Sequence, residues 1–399
     1  MKLFRPNVAT AVRALQAIFT EGQYADKAVE AALKSSPKLG ARDRAFIAET
    51  IYEVVRRYRF LYEILGHEPR HPREWWALTG IWLRISTNAP LPEWEEFQAL
   101  SQIAIHDLFR SDLPRAIRES VPDWLDERGA AELGERWPDL LHQLNQPAAF
   151  VIRANTLKIT RSDLAKQIAA AGIGTRSTGE AGLVLDKRIN LFQSEWFQSG
   201  LFEVQDASSQ EVAPFLAPEP GMRVVDACAG GGGKTLHLAA LMENKGSIIA
   251  LDPEDWKLEE LKRRARRAGA HQIQTRPITD RKVIKRLYGT ADRLLLDVPC
   301  SGLGVLRRNP DTKWKLSPAL LAAMQEQQQS ILSGYARIVK PGGRLVYATC
   351  SILESENGAQ VRRFLEADDA FELADERSIL PDDQGFDGFY MAALTRKGA

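Results

Sequence analysis

Cysteine and histidine are scarce in this chain, since its 399 residues include three cysteines and six histidines. The cysteines, Cys228, Cys300 and Cys350, cannot all pair, and they lack the close Cys-X-X-Cys spacing of a zinc site. The histidines are scattered and show no metal-ligand spacing either. We therefore expect free, reduced thiols and no bound metal.

Long apolar runs are missing as well. No segment stays free of charge over the length that spans a membrane, and residues 1–6 contain no apolar signal core. These features argue against a membrane partner and against export, so we expect a cytoplasmic protein. With 44% hydrophobic residues, the composition is ample for the packed cores of two or three domains.

Neither sign of charge dominates, because 53 basic residues nearly cancel 52 acidic ones. The net charge of +1 does not by itself indicate a nucleic-acid binder. The distribution is uneven, however, and residues 257–286 are rich in lysine and arginine with few acids. Such a stretch would follow a polyanion backbone or would be a solvated helix face, and the charge pattern alone leaves both open.

Apolar residues recur at helical spacing through the N-terminal part of the chain. In residues 41–65, for example, Ile47, Ile51 and Val54 fall on one face of a helix. No convincing strand interrupts this pattern. It predicts an all-α domain over residues 1–118.

A linker helix and a small α+β domain are predicted over residues 119–215. Strands are expected near residues 150–155, 183–185 and 201–204, with a helix between the first two. Three prolines close to residue 218 then mark a domain boundary.

Strands and helices alternate over residues 216–399, which predicts an α/β fold with a doubly wound, mostly parallel sheet. A helix over residues 317–339 is expected to stop at the Pro-Gly-Gly of residues 341–343. Two late strands have no helix between them, so they are predicted to form an antiparallel edge hairpin. The strand candidates are residues 223–226, 247–252, 272–276, 293–297, 344–348, 371–373 and 388–394.

A glycine-rich turn follows the first of these parallel strands. A phosphate-binding P-loop would need glycine six positions before Lys234, where Cys228 stands, and a dinucleotide fingerprint from Gly230 would need a third glycine at Thr235. What remains is a strand, a glycine turn and a helix N-terminus, with Asp252 at the end of the next strand. This combination suits an adenosine cofactor that carries a carboxylate.

Cys300 and Cys350 each come at the end of an apolar run that is predicted to be a parallel strand. Both thiols would then face one crevice at the carboxyl edge of the sheet. A single free cysteine in such a place is more often a packed core residue than a catalytic one. The repetition of the arrangement nevertheless suggests thiol chemistry beside the cofactor.

The motifs DACAGGGGKT (residues 226–235), DVPCSGLGVLRRNPDTKW (297–314) and YATCSILESEN (347–357) resemble those of the RNA cytosine-C5 methyltransferases of the RsmB/Nop/Sun family. RANTLK (153–158) and GLFEVQDASSQ (200–210) also match the family pattern. The helical N-terminus is similar to the NusB-like domain of family members that act on 16S ribosomal RNA.

The resemblance implies a Rossmann-like methyltransferase domain that uses S-adenosylmethionine, preceded by a NusB-like RNA-binding domain and a small RRM-like domain. Cys350 would add to carbon 6 of a cytosine, Cys300 would help to release the product, and Asp297 would hold the base. The cofactor would be framed by Cys228, Ala229, Gly230, Gly231, Gly232, Gly233, Lys234, Asp252, Asp280 and Asp297.

Two of these cofactor positions depart from the family pattern. Glycine stands at Gly231 where the family normally has proline, which frees the backbone without removing its amide donors. For the aspartate that follows the third strand, Asp280 is the candidate, although ungapped spacing back from Asp297 leads to Ile278.

The implied substrate is RNA, ribosomal RNA in particular, and the implied state is a monomer. Arg153, Lys158 and Lys313 would lie near the RNA, and the target base would come from a loop or junction, where it can leave the stack. Two alternatives remain open. One is a ribosome-assembly factor that binds RNA without cofactor, and the other is a DNA cytosine methyltransferase with Cys300 as nucleophile.

Overall fold

The structure is a computed structural model that describes residues 3–35, 38–102, 113–187, 190–382 and 386–398. The chain divides into two compact units, one formed by residues 1–146 and 306–317 and the other by residues 147–305 and 318–399. None of the helices in the described ranges is long and apolar enough to cross a membrane.

The elements are numbered along the chain. The described α-helices are α1 (Arg5–Thr20), α2 (Ala25–Lys34), α3 (Ala41–Arg56), α4 (Tyr58–Leu65), α5 (Pro72–Thr87), α6 (Arg115–Arg118), α7 (Asp123–Leu133), α8 (Trp137–Leu144), α9 (Arg161–Ala170), α10 (Glu195–Gln198), α11 (Ala207–Leu216), α12 (Gly233–Leu241), α13 (Asp255–Ala268), α14 (Arg281–Lys285), α15 (Thr312–Lys315), α16 (Pro318–Tyr335) and α17 (Gly358–Ala367). The described strands are β1 (Phe150–Ala154), β2 (Thr175–Thr178), β3 (Gly182–Leu185), β4 (Phe202–Val204), β5 (Arg223–Asp226), β6 (Ser247–Asp252), β7 (Ile273–Pro277), β8 (Ala291–Asp297), β9 (Val339–Thr349), β10 (Phe371–Ile379) and β11 (Phe389–Arg396).

Helices α1, α3 and α5 pack together at the centre of the first unit. Their inward positions repeat at helical spacing, so Leu15, Ile47 and Ile51 are fully buried. Beside them the rings of Phe19 and Tyr58 stack with their centroids 3.9 Å apart. The predicted all-α character of the N-terminal region is confirmed for the residues that the structure describes.

Residues 306–317 belong to this helical unit although they come late in the chain. Lys313 is 1% exposed, and its ammonium donates to the Arg56 carbonyl at 2.8 Å and to Asn145 Oδ1 at 3.0 Å. In the prediction from the sequence, this segment lies within one continuous methyltransferase domain, residues 216–399. The contacts that place this segment in the helical unit join residues far apart in the chain. Such contacts leave no periodic pattern in the local sequence.

A four-stranded antiparallel sheet with the order β2-β3-β1-β4 opens the second unit. Its core includes Leu164 and Ile168 of α9 and Phe202 of β4. Strands near residues 150–155, 183–185 and 201–204 are confirmed. The sequence analysis missed β2, because most of its residues are partly or fully exposed and show no apolar run.

The main sheet has the order β10-β11-β9-β8-β5-β6-β7. The pairs among β5 to β9 are parallel, and β11 runs antiparallel to both β9 and β10. This topology confirms the predicted Rossmann-like sheet and its antiparallel hairpin.

The prediction that the helix over residues 317–339 stops at the Pro-Gly-Gly of residues 341–343 is wrong, because β9 runs through these three residues. Helix α16 ends earlier than expected, at Tyr335, and β9 begins at Val339. The pairing of β8 with β9 shifts register between Ala291 and Arg293. The Pro-Gly-Gly is therefore accommodated inside β9 by an irregularity in the β8–β9 pairing, where Gly342 has a φ of 74°.

Candidate active site

Four neighbouring strands, β9, β8, β5 and β6, end at the same edge of the main sheet. Asp226 ends β5, Asp252 ends β6 and Asp297 ends β8, while Cys350 follows directly after β9. Because the carboxyl ends of parallel strands meet at one edge, the fold collects these polar side chains in one crevice.

The loop after β8 brings Cys300 to Cys350. Their sulfur atoms are 3.3 Å apart, in hydrogen-bond contact. This contact, followed by burial, raises the pKa of the Cys300 thiol well above its ordinary value. The thiol of Cys300 therefore keeps its proton, within hydrogen-bond distance of the sulfur of Cys350.

An ion pair lies beside the thiols. Lys234, in the first turn of α12, donates from Nζ to Asp297 Oδ2 at 2.6 Å. Burial alone would lower the pKa of Lys234, but the charge and hydrogen bond of Asp297 outweigh it and the pKa is raised. The lysine therefore stays charged and remains paired with Asp297.

The glycine turn is bound to the end of β6 through Asp252. Gly230 N–H donates to Asp252 Oδ2 at 3.0 Å, and Glu254 N–H donates to Oδ1 at 2.9 Å. The turn needs glycine, because Gly232 has a φ of 86° and an added Cβ would lie 2.1 Å from Leu261. Backbone amides are thus presented at the N-terminus of α12, where an anionic group binds well.

Two arginines donate hydrogen bonds to backbone carbonyls of the same turn. Arg264 donates to the Gly231 carbonyl at 2.5 Å and pairs with Glu203 at 2.9 Å. Arg153 donates to the Gly233 carbonyl at 2.9 Å. The backbone freedom that glycine introduces at Gly231 is therefore restrained by side chains, a compensation that the sequence analysis did not anticipate.

Asp226 was not among the predicted site residues. It is 1% exposed, and its Oδ2 accepts a hydrogen bond from the Thr235 hydroxyl at 2.7 Å. Its Oδ1 is buried without a hydrogen-bond partner in the structure. Burial raises the pKa of Asp226 to about 7. The sequence did contain an indication that Asp226 is a site residue, since Asp226 is the last residue of a predicted buried parallel strand.

Asp280 and Ile278, the two candidates for the third cofactor position, line the same cavity of about 560 Å³ together with Tyr335. The carboxylate of Asp280 caps α14 by accepting from the backbone N–H groups of Lys282 and Val283. Its local role is therefore structural, and whether it also contacts a cofactor stays a prediction.

Cys228 has a different environment from the other two cysteines. It packs against the hydrophobic core on one side of the main sheet, and burial holds the pKa of its thiol well above the ordinary value. Within the described ranges no group of three or more His, Cys, Asp and Glu side chains is placed to hold a metal ion.

The three cations that were predicted to lie near RNA all contact protein atoms in the structure. Arg153 is 2% exposed and donates to Gln205 as well as to the glycine turn, and burial lowers its pKa to about 9. Lys313 is buried in the helical unit, as described above. Lys158 donates to the carbonyls of Ser199 and Arg267 at 2.8 and 2.7 Å. All three cations are bound by protein atoms and the first two are buried, so a contact between any of them and RNA stays a prediction.

Other basic residues are exposed around β7 and α14, at one edge of the main sheet. They belong to the basic stretch that was seen in the sequence: Arg276, Arg281, Lys282, Lys285 and Arg286. A motif records that a cation is needed at a position, but it does not say whether protein or nucleic acid binds it. The exposed fraction of the side chain distinguishes a cation that is bound by protein from one that is available to nucleic acid.

Comparison with known families gives two matches, one to the region of the main sheet and one to the region before it. Residues 213–395 match the model of the 16S rRNA methyltransferases RsmB/F. Residues 121–191 match the ferredoxin-like domain of RsmF/B-like methyltransferases.

Individual relatives match over most of the chain. The chain is 33% identical to the probable ribosomal RNA small subunit methyltransferase B of Synechocystis, over 96% of this chain and 97% of that protein. It is 33% identical to ribosomal RNA small subunit methyltransferase B of Vibrio cholerae, over 80% of this chain and 74% of that protein. The crystal structure of the protein PH0851 has a TM-score of 0.83 and 26% identity, over 99% of this chain and 100% of that one.

Proposed function

The chain belongs to the 16S rRNA methyltransferase RsmB/F family, and we propose that it transfers a methyl group to carbon 5 of a cytosine in the RNA of the small ribosomal subunit. The relatives are named as small-subunit RNA methyltransferases, which supports the class of substrate. The observation that carries the cytosine chemistry is the pair of sulfurs 3.3 Å apart, one in the loop after β8, which ends at Asp297, and the other directly after β9.

S-adenosylmethionine is the cofactor, as the methyltransferase family indicates, and when bound it supplies the methyl group. The residues at the edge of the sheet fit such a molecule. The glycine turn offers backbone amides for its carboxylate, and Asp252 keeps lone pairs for ribose hydroxyls. Asp226 Oδ1 is buried without a partner, so an ammonium group of the cofactor would satisfy it.

Cys350 is the nucleophile of the proposed reaction. Carbon 5 of cytosine is a poor nucleophile, but addition of the Cys350 thiolate to carbon 6 makes the ring an enamine-like adduct that reacts at carbon 5. Asp297, which accepts a hydrogen bond from Lys234, would contact ring nitrogen 3, and a proton taken up from water between the two would neutralise the negative charge that thiolate addition sends to that nitrogen. The base must leave its stack to reach these groups.

Cys300 acts at the end of the cycle. After methylation, water takes the proton from carbon 5, and the electron pair of that C–H bond re-forms the double bond between carbons 5 and 6 as the bond between Cys350 and carbon 6 breaks. Cys300 is in hydrogen-bond contact with the sulfur that departs, so its proton assists the elimination. This division of roles assigns addition to one thiol and release to the other.

The proposal is tested by methyl transfer from tritiated cofactor to 16S ribosomal RNA and to DNA of the same sequence, with bisulfite mapping of the RNA product. We expect label in the RNA alone and protection from bisulfite at one cytosine. Label in the DNA would favour the alternative in which Cys300 is the nucleophile. Cofactor binding without label in either nucleic acid would mean that the chain is not a cytosine methyltransferase.

A further inference from the structure

Glu356 is a fully buried carboxylate, 0% exposed, in the short 3-10 turn Glu354–Glu356 after the second cysteine. Its Oε1 accepts from Ser301 N–H at 2.8 Å and from Gln328 Nε2 at 2.9 Å. Its Oε2 accepts from the hydroxyls of Ser301 and Ser351, each at 2.5 Å. A buried charge is tolerated only when donors surround it, and here four of them do.

The positions of these donors relate the carboxylate to the thiols. Ser301 is the residue after Cys300, and Ser351 is the residue after Cys350. One side chain is therefore hydrogen-bonded to both cysteine loops at once. These loops follow different strands and are 50 residues apart in the chain, so a local turn cannot fix their distance.

Further hydrogen bonds hold Glu356 itself in place. The Tyr347 hydroxyl, on β9, donates to the Glu356 carbonyl at 2.7 Å. Gln328, on α16, also donates to the Pro299 carbonyl at 3.0 Å, directly before Cys300. Gln328 Oε1 has no hydrogen-bond partner in the structure, but both carboxylate oxygens and the carbonyl of Glu356 accept hydrogen bonds, which restricts the position of this side chain. The carboxylate thus restricts the positions of the two loops that carry the sulfurs.

We infer that Glu356 is a positioning residue, whose carboxylate bridge between Ser301 and Ser351 sets the distance between the two thiols. The inference rests on the proposed function for its catalytic consequence, but the distance itself is a property of the protein alone. Glu356 touches neither sulfur by a hydrogen bond of its own among the described contacts, and it acts through the two serines.

The distance is measured with dibromobimane, a reagent that becomes fluorescent when it bridges two neighbouring thiols. The variants are Glu356→Ala, Glu356→Gln and the serine pair Ser301→Ala/Ser351→Ala. Glu354→Ala is the matched control, because Glu354 lies in the same turn, is half exposed and pairs with Arg362 instead. Cys300→Ser establishes that the signal comes from this pair of thiols.

We expect the bridging rate to fall about tenfold or more in Glu356→Ala and in the serine pair, and to be unchanged in Glu354→Ala. Glu356→Gln keeps the shape and one oxygen, so an intermediate rate is expected. If Glu356→Ala does not fold, Glu356→Gln and the serine pair still measure the same bridge. Bridging as fast as in the unmodified protein, in all three folded variants, would overturn the inference.

A kinetic measurement separates positioning from general stability. In single turnover, Glu356→Ala is expected to slow release of the methylated RNA from the Cys350 adduct about 100-fold, since a misplacement of about 1 Å can cost that much, while the equilibrium affinities for cofactor and RNA stay unchanged. Adding Glu356→Ala to the serine pair should slow release no further. A change in affinity alone would overturn the positioning role.

The two proposals can fail separately. If bimane bridging depends on Glu356 but the unmodified protein methylates no RNA, the positioning inference stands and the proposed function falls. If the unmodified protein methylates RNA but bridging does not depend on Glu356, the inference falls alone.

Discussion

At the scale of single residues, the two thiols differ in environment although their sequence motifs are similar. The pKa of Cys300 is raised by its contact with Cys350 and by burial, which suits the proposed role of Cys300 as the proton donor in release. The sequence analysis predicted that both would reach one crevice. It could not predict a separation of 3.3 Å, because that separation depends on loop contacts and not on strand ends.

The nucleophile assignment predicts that Cys350→Ala abolishes methyl transfer and leaves cofactor binding nearly intact. The thiol reacts with the base, and its removal takes no hydrogen bond from the glycine turn. Tritium transfer measures the first effect and calorimetry with S-adenosylmethionine measures the second. Retained turnover would assign the nucleophile elsewhere.

Cys300→Ala should instead form the adduct and fail to release it. The variant is expected to accumulate a covalent complex of protein and RNA that survives denaturing electrophoresis. Adding Cys350→Ala should remove that complex, because the bond to carbon 6 is made by Cys350. Normal turnover by Cys300→Ala would show that the release role is misassigned.

Asp226 predicts a pH dependence of cofactor binding. Its pKa is raised to about 7 by burial, so the carboxyl is largely protonated at pH 6 and largely ionised at pH 8. An ammonium group binds the ionised form better, so the affinity for S-adenosylmethionine should rise as the pH increases through 7. In Asp226→Asn, calorimetry from pH 6 to 8 should show weaker binding and no such rise. The same rise in both proteins would contradict the contact.

At the scale of elements, the alternation of strands and helices was predictable because buried parallel strands are apolar runs with clear breaks. The exceptions have specific causes. The Pro-Gly-Gly of residues 341–343 is a turn signal that the fold absorbs as an irregularity within β9, and β2 is too exposed to show an apolar pattern. Local sequence records local preference, and the neighbouring strand overrides it in the first case.

The glycine turn between β5 and α12 provides a prediction at this scale. An added Cβ at Gly231 meets only the Arg264 guanidinium, at 3.3 Å, and the φ of Gly231 lies outside the left-handed region. Gly231→Pro should therefore stabilise the protein by about 0.4 to 1 kcal/mol by restricting the unfolded chain.

Removal of the hydrogen bond from Arg264 to the Gly231 carbonyl should loosen the turn. Arg264→Ala frees the Gly231 carbonyl and is expected to weaken S-adenosylmethionine binding, and Gly231→Pro in that background should restore part of the affinity. Thermal melting and calorimetry measure the two effects. A destabilised Gly231→Pro variant would show that the turn needs the freedom of glycine.

At the scale of the whole molecule, the order of the elements along the chain did not reveal which residues share a compact unit. Residues 306–317 come from the middle of the predicted methyltransferase region and are part of the helical unit. Asp311 Oδ2 there accepts from Ala25 N–H at 3.0 Å, and the Trp314 indole donates to the Val55 carbonyl at 2.7 Å. Their partners are hundreds of residues away in the sequence, which no single-sequence pattern reports.

Lys313 provides the test of this arrangement, because a structural lysine and an RNA-binding lysine respond differently to salt. Lys313→Met keeps the apolar stem but leaves the Arg56 carbonyl and Asn145 Oδ1 without their donor, which should lower the free energy of unfolding by about 1 to 3 kcal/mol. RNA affinity should keep the same dependence on salt concentration, since no phosphate contact is lost. Lys282→Met, at an exposed position, is the matched control, and a lost phosphate contact there would reduce the salt slope by about 1. A reduced slope in Lys313→Met with unchanged stability would return Lys313 to the RNA interface.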